Sequence, residues 1–280
     1  MTKHIKFNIE YKTIILDHIK KYDRTDRPTI YSNEYFLDHI YSVLNDVVSW
    51  RALGRILCKS NPNLPTYHYS TIRKKFEKWN ALGIFKKSYD VFVKLYGGLT
   101  TYTSTVTYID GTMIYNKYGV EEISINPADK KKKATKITIL TTTKNNNFNK
   151  CIPIGITSSP AKIHDVHAVL PTVEMVSPDI RQPKMEIFGD KGYMLNQTSK
   201  KVLKTKGVTV VTPPRKNAID KVRTKRQTRL LRKRYGIENC FSYLKNYNRI
   251  CIRRDKSIKN YLGFIYMGCM EYLSKNYKKN

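Results

Sequence analysis

Three runs rich in β-branched residues follow one another in mid-chain: "STVTYID" ending at Asp110, "KITILTTT" from Lys136 and "KCIPIGITS" from Lys150. Each is bounded by the Gly, Asn, Pro or Lys clusters that turn a chain, and "NNNFN" between the second and third reads as a hairpin loop. After them the pattern alternates. "HDVHAVLPTVEMV" reads as a helix despite Pro171, "KMEIFGD" as a strand ending at Asp190, about 195–206 as a helix, and "GVTVVTPP" as a strand. A long charged, Leu-spaced helix is expected over about 223–247, and a last amphipathic helix in "SIKNYLGFIYMGCMEYLSK". The order β-β-β-α-β-α-β-α limits the fold class to α/β, a mixed central sheet with helices on its faces.

The first third has no such strands. "SNEYFLDHIYSVLNDVVSW" places Leu37, Ile40, Leu44 and Val47 at helical spacing, with Ser32 or Asn33 available as N-cap. A second helix is expected near Ser70, with Ile72, Phe76 and Trp79 on one face and Gly83 as its stop. Its other face carries Arg73, Lys74, Lys75 and Lys78. Short helices ending in a basic one fit a helix-turn-helix that reads DNA, and they fit a plain helical bundle equally well. Gly97-Gly98 is a breaker pair, so the expected organisation is a helical region over 1–97 and a mixed domain over 98–280.

Asp110 and Asp190 both fall at the expected C-terminal ends of strands, in "IDGT" and "GDKGY". Such carboxylates point into the crevice where open α/β sheets hold ligands, although an Asp before Gly is also an ordinary turn former. A third acid, Glu238, stands alone in the basic stretch "RYGIENCFSYLKNYNRI". On a continuous helix Arg234 (i−4) and Lys245 (i+7) lie within roughly 40° of it. Leu230, Ile237, Phe241 and Leu244 form the neighbouring apolar stripe. Three carboxylates brought together would repel unless a cation binds between them. Oxygen-only ligands suit Mg²⁺, and two such ions about 3.5–4 Å apart support an in-line displacement at phosphorus. Arg234 and Lys245 would then grip phosphate.

Charge points to the same chemistry. The chain carries 52 basic and 22 acidic residues, a formal net charge of +30, and from Lys200 onward 23 basic residues face only 4 acids. Self-repulsion of that size calls for a polyanion partner, and nucleic acid is the usual one. Five scattered cysteines with no C-x-x-C pair imply neither zinc nor a disulfide framework, as expected of reduced thiols inside a cell. The N-terminus lacks an apolar signal core and no run approaches 18 apolar residues, so neither secretion nor membrane spanning is expected.

Taken in order, these motifs resemble the DDE transposases of bacterial insertion sequences, an RNase H-like group whose wider relatives include Harbinger-type transposases. "YIDGT" carries Asp110, "GDKGY" carries Asp190, and Arg234, Glu238 and Lys245 match a Y-x2-R-x3-E-x6-K signature in which Leu231 replaces the Tyr. "SPAKIHDVHAV" is similar to the family's HD element. The resemblance implies an RNase H-like sheet behind a small helical DNA-binding region, with Asp110, Asp190 and Glu238 as catalytic metal ligands. It implies two Mg²⁺ ions, with Mn²⁺ as a substitute, and no small-molecule cofactor. His164 and Asp165 are expected in supporting roles, Asp165 as a helix cap. Arg215, Arg253, Arg254, Arg73, Lys74 and Lys78 join Arg234 and Lys245 as candidate DNA contacts. The implied activity is metal-dependent strand cleavage and strand transfer on duplex DNA, at element ends and target, by a homodimer or higher oligomer located with DNA inside the cell. Two other readings are a transposase-derived DNA-binding protein that no longer cuts and a nuclease without strand transfer.

Overall fold

The computed structural model describes residues 9–24, 30–45, 49–60, 68–97, 106–129, 132–143, 150–181, 183–214 and 224–276. The "NNNFN" loop, Val47, Gly98 and Arg215 lie outside them. In chain order the first helices are α1 (Ile9–Tyr22), α2 (Asn33–Asn45), α3 (Trp50–Ser60), α4 (Tyr69–Ala81) and α5 (Ile84–Gly97). The strands are β1 (Val106–Asn116), β2 (Ser124–Ile125), β3 (Lys133–Thr143), β4 (Cys151–Pro160), β5 (Met185–Phe188), β6 (Val208–Val211) and the two-residue β7 (Ile252–Arg253). Interleaved with and following the last strands are α6 (Val169–Glu174), α7 (Gln197–Thr205), α8 (Lys225–Leu231), α9 (Tyr235–Lys245), α10 (Asn248–Cys251) and α11 (Ile258–Asn276). None of the described helices is long and apolar enough to cross a membrane.

Two compact units emerge. The first takes the chain up to Phe92, Lys117–Glu121, and the C-terminal segment from Leu244, so the last helices pack with the first ones. The reason lies in α11. From Tyr261 to Leu273 nearly every side chain is buried, Glu271 included, so the helix is packed on every side where an amphipathic helix is expected. Phe264 stacks on Phe76 at 4.4 Å between ring centroids, and Trp50 lies 5.6 Å from Phe76. Gly263 permits the close approach, because a Cβ there would stand 2.2 Å from Asn80 Oδ1. In α2, Leu37, Ile40 and Leu44 are buried as their spacing requires, and Ser32 Oγ accepts from the Tyr35 N–H at 3.2 Å. Helix α4 buries Ile72, Phe76 and Trp79 and stops at Gly83, whose φ of +71° is the left-handed end suited to glycine.

The second unit holds the sheet. β1 pairs antiparallel with β3, β3 antiparallel with β4, and β1, β5 and β6 run parallel. Its order is therefore β4-β3-β1-β5-β6, with β2 on β3, the mixed sheet flanked by helices that the element order requires. Two details differ from expectation. β1 continues along β3 as far as Tyr115↔Ala134, so Asp110 is not at its end, yet the parallel partner β5 stops at Phe188 opposite Tyr108. The helix expected over 223–247 is two helices, α8 and α9. At the break, Lys233 N–H bonds to Leu230 O and Ile237 N–H to Arg234 O. Arg232, Lys233 and Arg234 have no apolar group to bury there, and i→i+3 bonds replace the helical ones.

Candidate active site

The register between β1 and β5 sets the two aspartates side by side. Tyr108 pairs with Phe188, and Asp110 and Asp190 each come two residues later, where β5 ends and the crevice of a parallel sheet opens. Main-chain donors fix both carboxylates. Asp110 Oδ1 accepts from the Gly111 N–H at 2.8 Å, and Asp190 Oδ1 accepts from the Gly192 N–H at 2.8 Å as N-cap of the turn Lys191–Tyr193. Those bonds leave the Oδ2 atoms for other partners, and Arg234 Nη2 lies 3.4 Å from Asp110 Oδ2.

Burial pushes the Asp110 carboxyl above the ordinary carboxylate range. The charges of Asp190 and Glu238 act in the same direction, while Arg234 and the Gly111 N–H oppose it. Burial is the largest of these influences on Asp110, and the charges of Asp190 and Glu238 are the smallest. Glu238 lies in the first turn of α9 and is exposed. Lys245 ends the same helix, also exposed. Among the described residues no three acids, histidines or cysteines stand close enough to hold one ion together. The chemistry of the donors fits a divalent ion nonetheless. The acids are hard oxygen ligands, Asp110 and Asp190 each keep one oxygen free of main-chain bonds, and the repulsion at Asp110 is of the kind such an ion would relieve.

Two residues that the motif reading did not single out shape this place. Lys136 on β3 is buried, and its Nζ donates to Ile163 O at 2.5 Å and to Asp165 Oδ1 at 2.6 Å. Asp165 Oδ2 would stand 2.7 Å from a Cβ on Gly192, so this ion pair abuts the turn that carries Asp190. The cap of the short helical turn here is His164, whose ring accepts from the Val166 N–H at 3.5 Å. Asp165 is therefore an ion-pair partner and not the expected cap. Tyr193 is buried with its hydroxyl 3.2 Å from the point where a Gly111 Cβ would be. Burial, then the charges of Asp110, Asp165 and Asp190, keep its phenol protonated. A lysine interrupting a β-branched run is the signal that marks Lys136 in the sequence, since a charge in a buried strand needs a partner. Lys136→Met should lower unfolding stability by about 2 kcal/mol, because Asp165 is left without its cation. An unshifted denaturation midpoint would show that the pair contributes nothing.

The other candidates divide. Arg253 is fully buried, with Nε, Nη1 and Nη2 donating to the carbonyls of Asp255, Glu121 and Lys256; it is not the DNA contact expected, because no face of it reaches solvent. Arg254 is half-buried. On α4, Arg73 pairs with Glu77 at 2.8 Å and Lys78 with Asp23 at 2.5 Å, while Lys74 is exposed.

Comparison with known proteins adds two findings. Residues 101–270 match the family model of the transposase DDE domain. Among solved structures the chain is similar to a piggyBac transposase, seen by cryo-electron microscopy in a synaptic complex with hairpin DNA. Identity is 12%, with 98% of this chain and 75% of that chain covered and a TM-score of 0.48. No curated protein sequence matches.

Proposed function

The chain belongs to the transposase DDE domain family, and we propose that it is a DNA transposase that cuts the ends of a mobile element and joins the freed 3′-OH to target DNA. The observation that carries this reading is the parallel register of β1 and β5, Tyr108 opposite Phe188, with Asp110 and Asp190 each two residues beyond it and each held by a main-chain N–H. Asp110, Asp190 and Glu238 would hold magnesium ions, which supply charge neutralisation and an activated nucleophile when bound.

The chain's own residues do the rest. The Gly111 and Gly192 N–H groups orient one oxygen of each aspartate, so that the second oxygen of each is presented to the crevice. Arg234 holds Asp110 when DNA is absent and is placed to pass to a phosphate oxygen when the backbone enters, since a guanidinium serves either anion in the same planar geometry. Lys245, seven residues beyond Glu238, offers a second point charge for a flanking phosphate. Exclusion of water from the buried side of Asp110 strengthens each of these interactions.

The test pairs the purified chain with labelled duplexes bearing the inverted repeats that flank its gene, plus a target plasmid and Mg²⁺. Nicked ends and joined products are expected, with both lost on chelation and restored by Mg²⁺. Nicks without joined products would reduce the protein to a nuclease, and binding without nicks would make it a DNA-binding derivative.

A further inference from the structure

Helix α8 lies just before Arg234 and carries a charge pattern that the catalytic reading does not use. Lys225 and Arg229 fall at i and i+4 on α8, and Arg232, the C-cap that follows it in helical backbone conformation (φ −72°, ψ −17°), at i+7, so the three share one stripe. All three are exposed, and with Thr228 and Lys233 they line one groove. Their neighbour Arg226 pairs with Glu186 and Arg234 with Asp110. No described carboxylate pairs with Lys225, Arg229 or Arg232. The helix dipole explains the pattern only in part. Cations at the C-terminal end are favoured by the dipole, but Lys225 is the first residue after the Thr224 cap, where the dipole opposes a positive charge, and three like charges on one stripe repel.

The stripe is also held in register with the catalytic strand. Leu230 is buried in the cluster formed by Val106, Tyr108, Cys151, Phe188 and Val211, and Tyr108 donates its hydroxyl to Leu230 O at 3.2 Å. Tyr108 precedes Asp110 by two residues on β1, and Arg232 precedes Arg234 by two on the other side. From residue 225 to 232 a helix rises about 10 Å, roughly the axial length of three nucleotides of one DNA strand.

We propose that this face of α8 seats the phosphodiester backbone of the duplex beside the scissile bond, with Lys225, Arg229 and Arg232 taking successive phosphates of one strand. This rests on the transposase reading for the place of the scissile bond, but not for the binding itself. Contacts of this kind are indifferent to base sequence, so they fix where the strand lies and leave recognition of element ends to other residues.

The experiment measures binding of the full chain to a fluorescein-labelled inverted-repeat duplex across a potassium chloride series. The variants are K225Q/R229Q/R232Q, the single R229Q, and K200Q/K201Q/K204Q on α7 as a control that removes the same charge. The α8 triple variant should flatten the slope of log affinity against log salt by about 2.7, and R229Q by about 0.9. The α7 control should change it far less, and hydroxyl-radical protection of about three nucleotides beside the nick should disappear only in the α8 triple. A slope equal to wild type, or a loss matched by the α7 control, overturns the proposal, as does a wild-type chain that does not bind the duplex. If the wild type binds with the expected slopes but never cuts, the transposase reading fails and the backbone seat stands. If it cuts and joins while the α8 triple keeps its slope, the seat fails and the transposase reading stands.

Discussion

Asp110→Asn should reduce strand cleavage by about 10²–10³-fold, the scale on which loss of one preorganised electrostatic group is felt at a reacting centre, while duplex binding persists. Asparagine keeps the shape and the oxygen that accepts from the Gly111 N–H, so the turn is preserved and only the charge is lost. The folded protein should tolerate that loss without cost. Burial and two like charges already disfavour the ionised carboxyl in the native state, so the variant should melt no lower than wild type. Activity and stability thus move apart, as they do where a site holds charges for function at the expense of the fold. Glu238→Gln should match the loss of cleavage with no change in melting, because its side chain is exposed. Cleavage retained by either variant would remove that residue from the catalytic set, and a large drop in melting temperature for Asp110→Asn would mean that its ion pair with Arg234 outweighs the burial of its charge.

Asp110 and Asp190 were each legible as an acid beside a glycine-containing turn, "IDGT" and "GDKGY", but the parallel pairing of β1 with β5 that brings them level is supplied by the fold. Ile72, Phe76 and Trp79 were legible from helical spacing. The break at Arg232–Arg234 was not. A continuous helix and two helices joined by a tight turn bury the same apolar positions, and only the tertiary fit of Leu230 against Tyr108 and Phe188 separates them. The return of α11 to the N-terminal helices was equally hidden. Its sequence reads as amphipathic and does not say against what it packs. Lys136 shows the third kind of gap. A charge inside a β-branched run announces that a partner exists, but Asp165 is 29 residues away and is brought to it by the fold.

Arg253 and Arg254 are adjacent and chemically identical, and no spacing rule tells which one faces solvent. The structure does, and it fixes the second large effect. Arg253→Ala should lower stability by roughly 3–5 kcal/mol, the range for removing one member of a buried charged network, and lower the melting temperature by roughly 10 °C in a chain of this size. Three carbonyls, those of Glu121, Asp255 and Lys256, lose their donors together, and the fully buried guanidinium leaves a cavity against Tyr261, whose ring centroid lies 5.9 Å from its carbon. Arg253→Lys should recover little, since one ammonium cannot reproduce three donors fixed in a plane. Circular dichroism melting without DNA reads the effect directly. A DNA-contacting arginine would leave that melt unchanged and flatten the salt dependence of binding by about 0.9; an Arg253→Ala chain with a wild-type melt and a flatter slope would return this residue to the DNA interface and displace the structural role assigned to it.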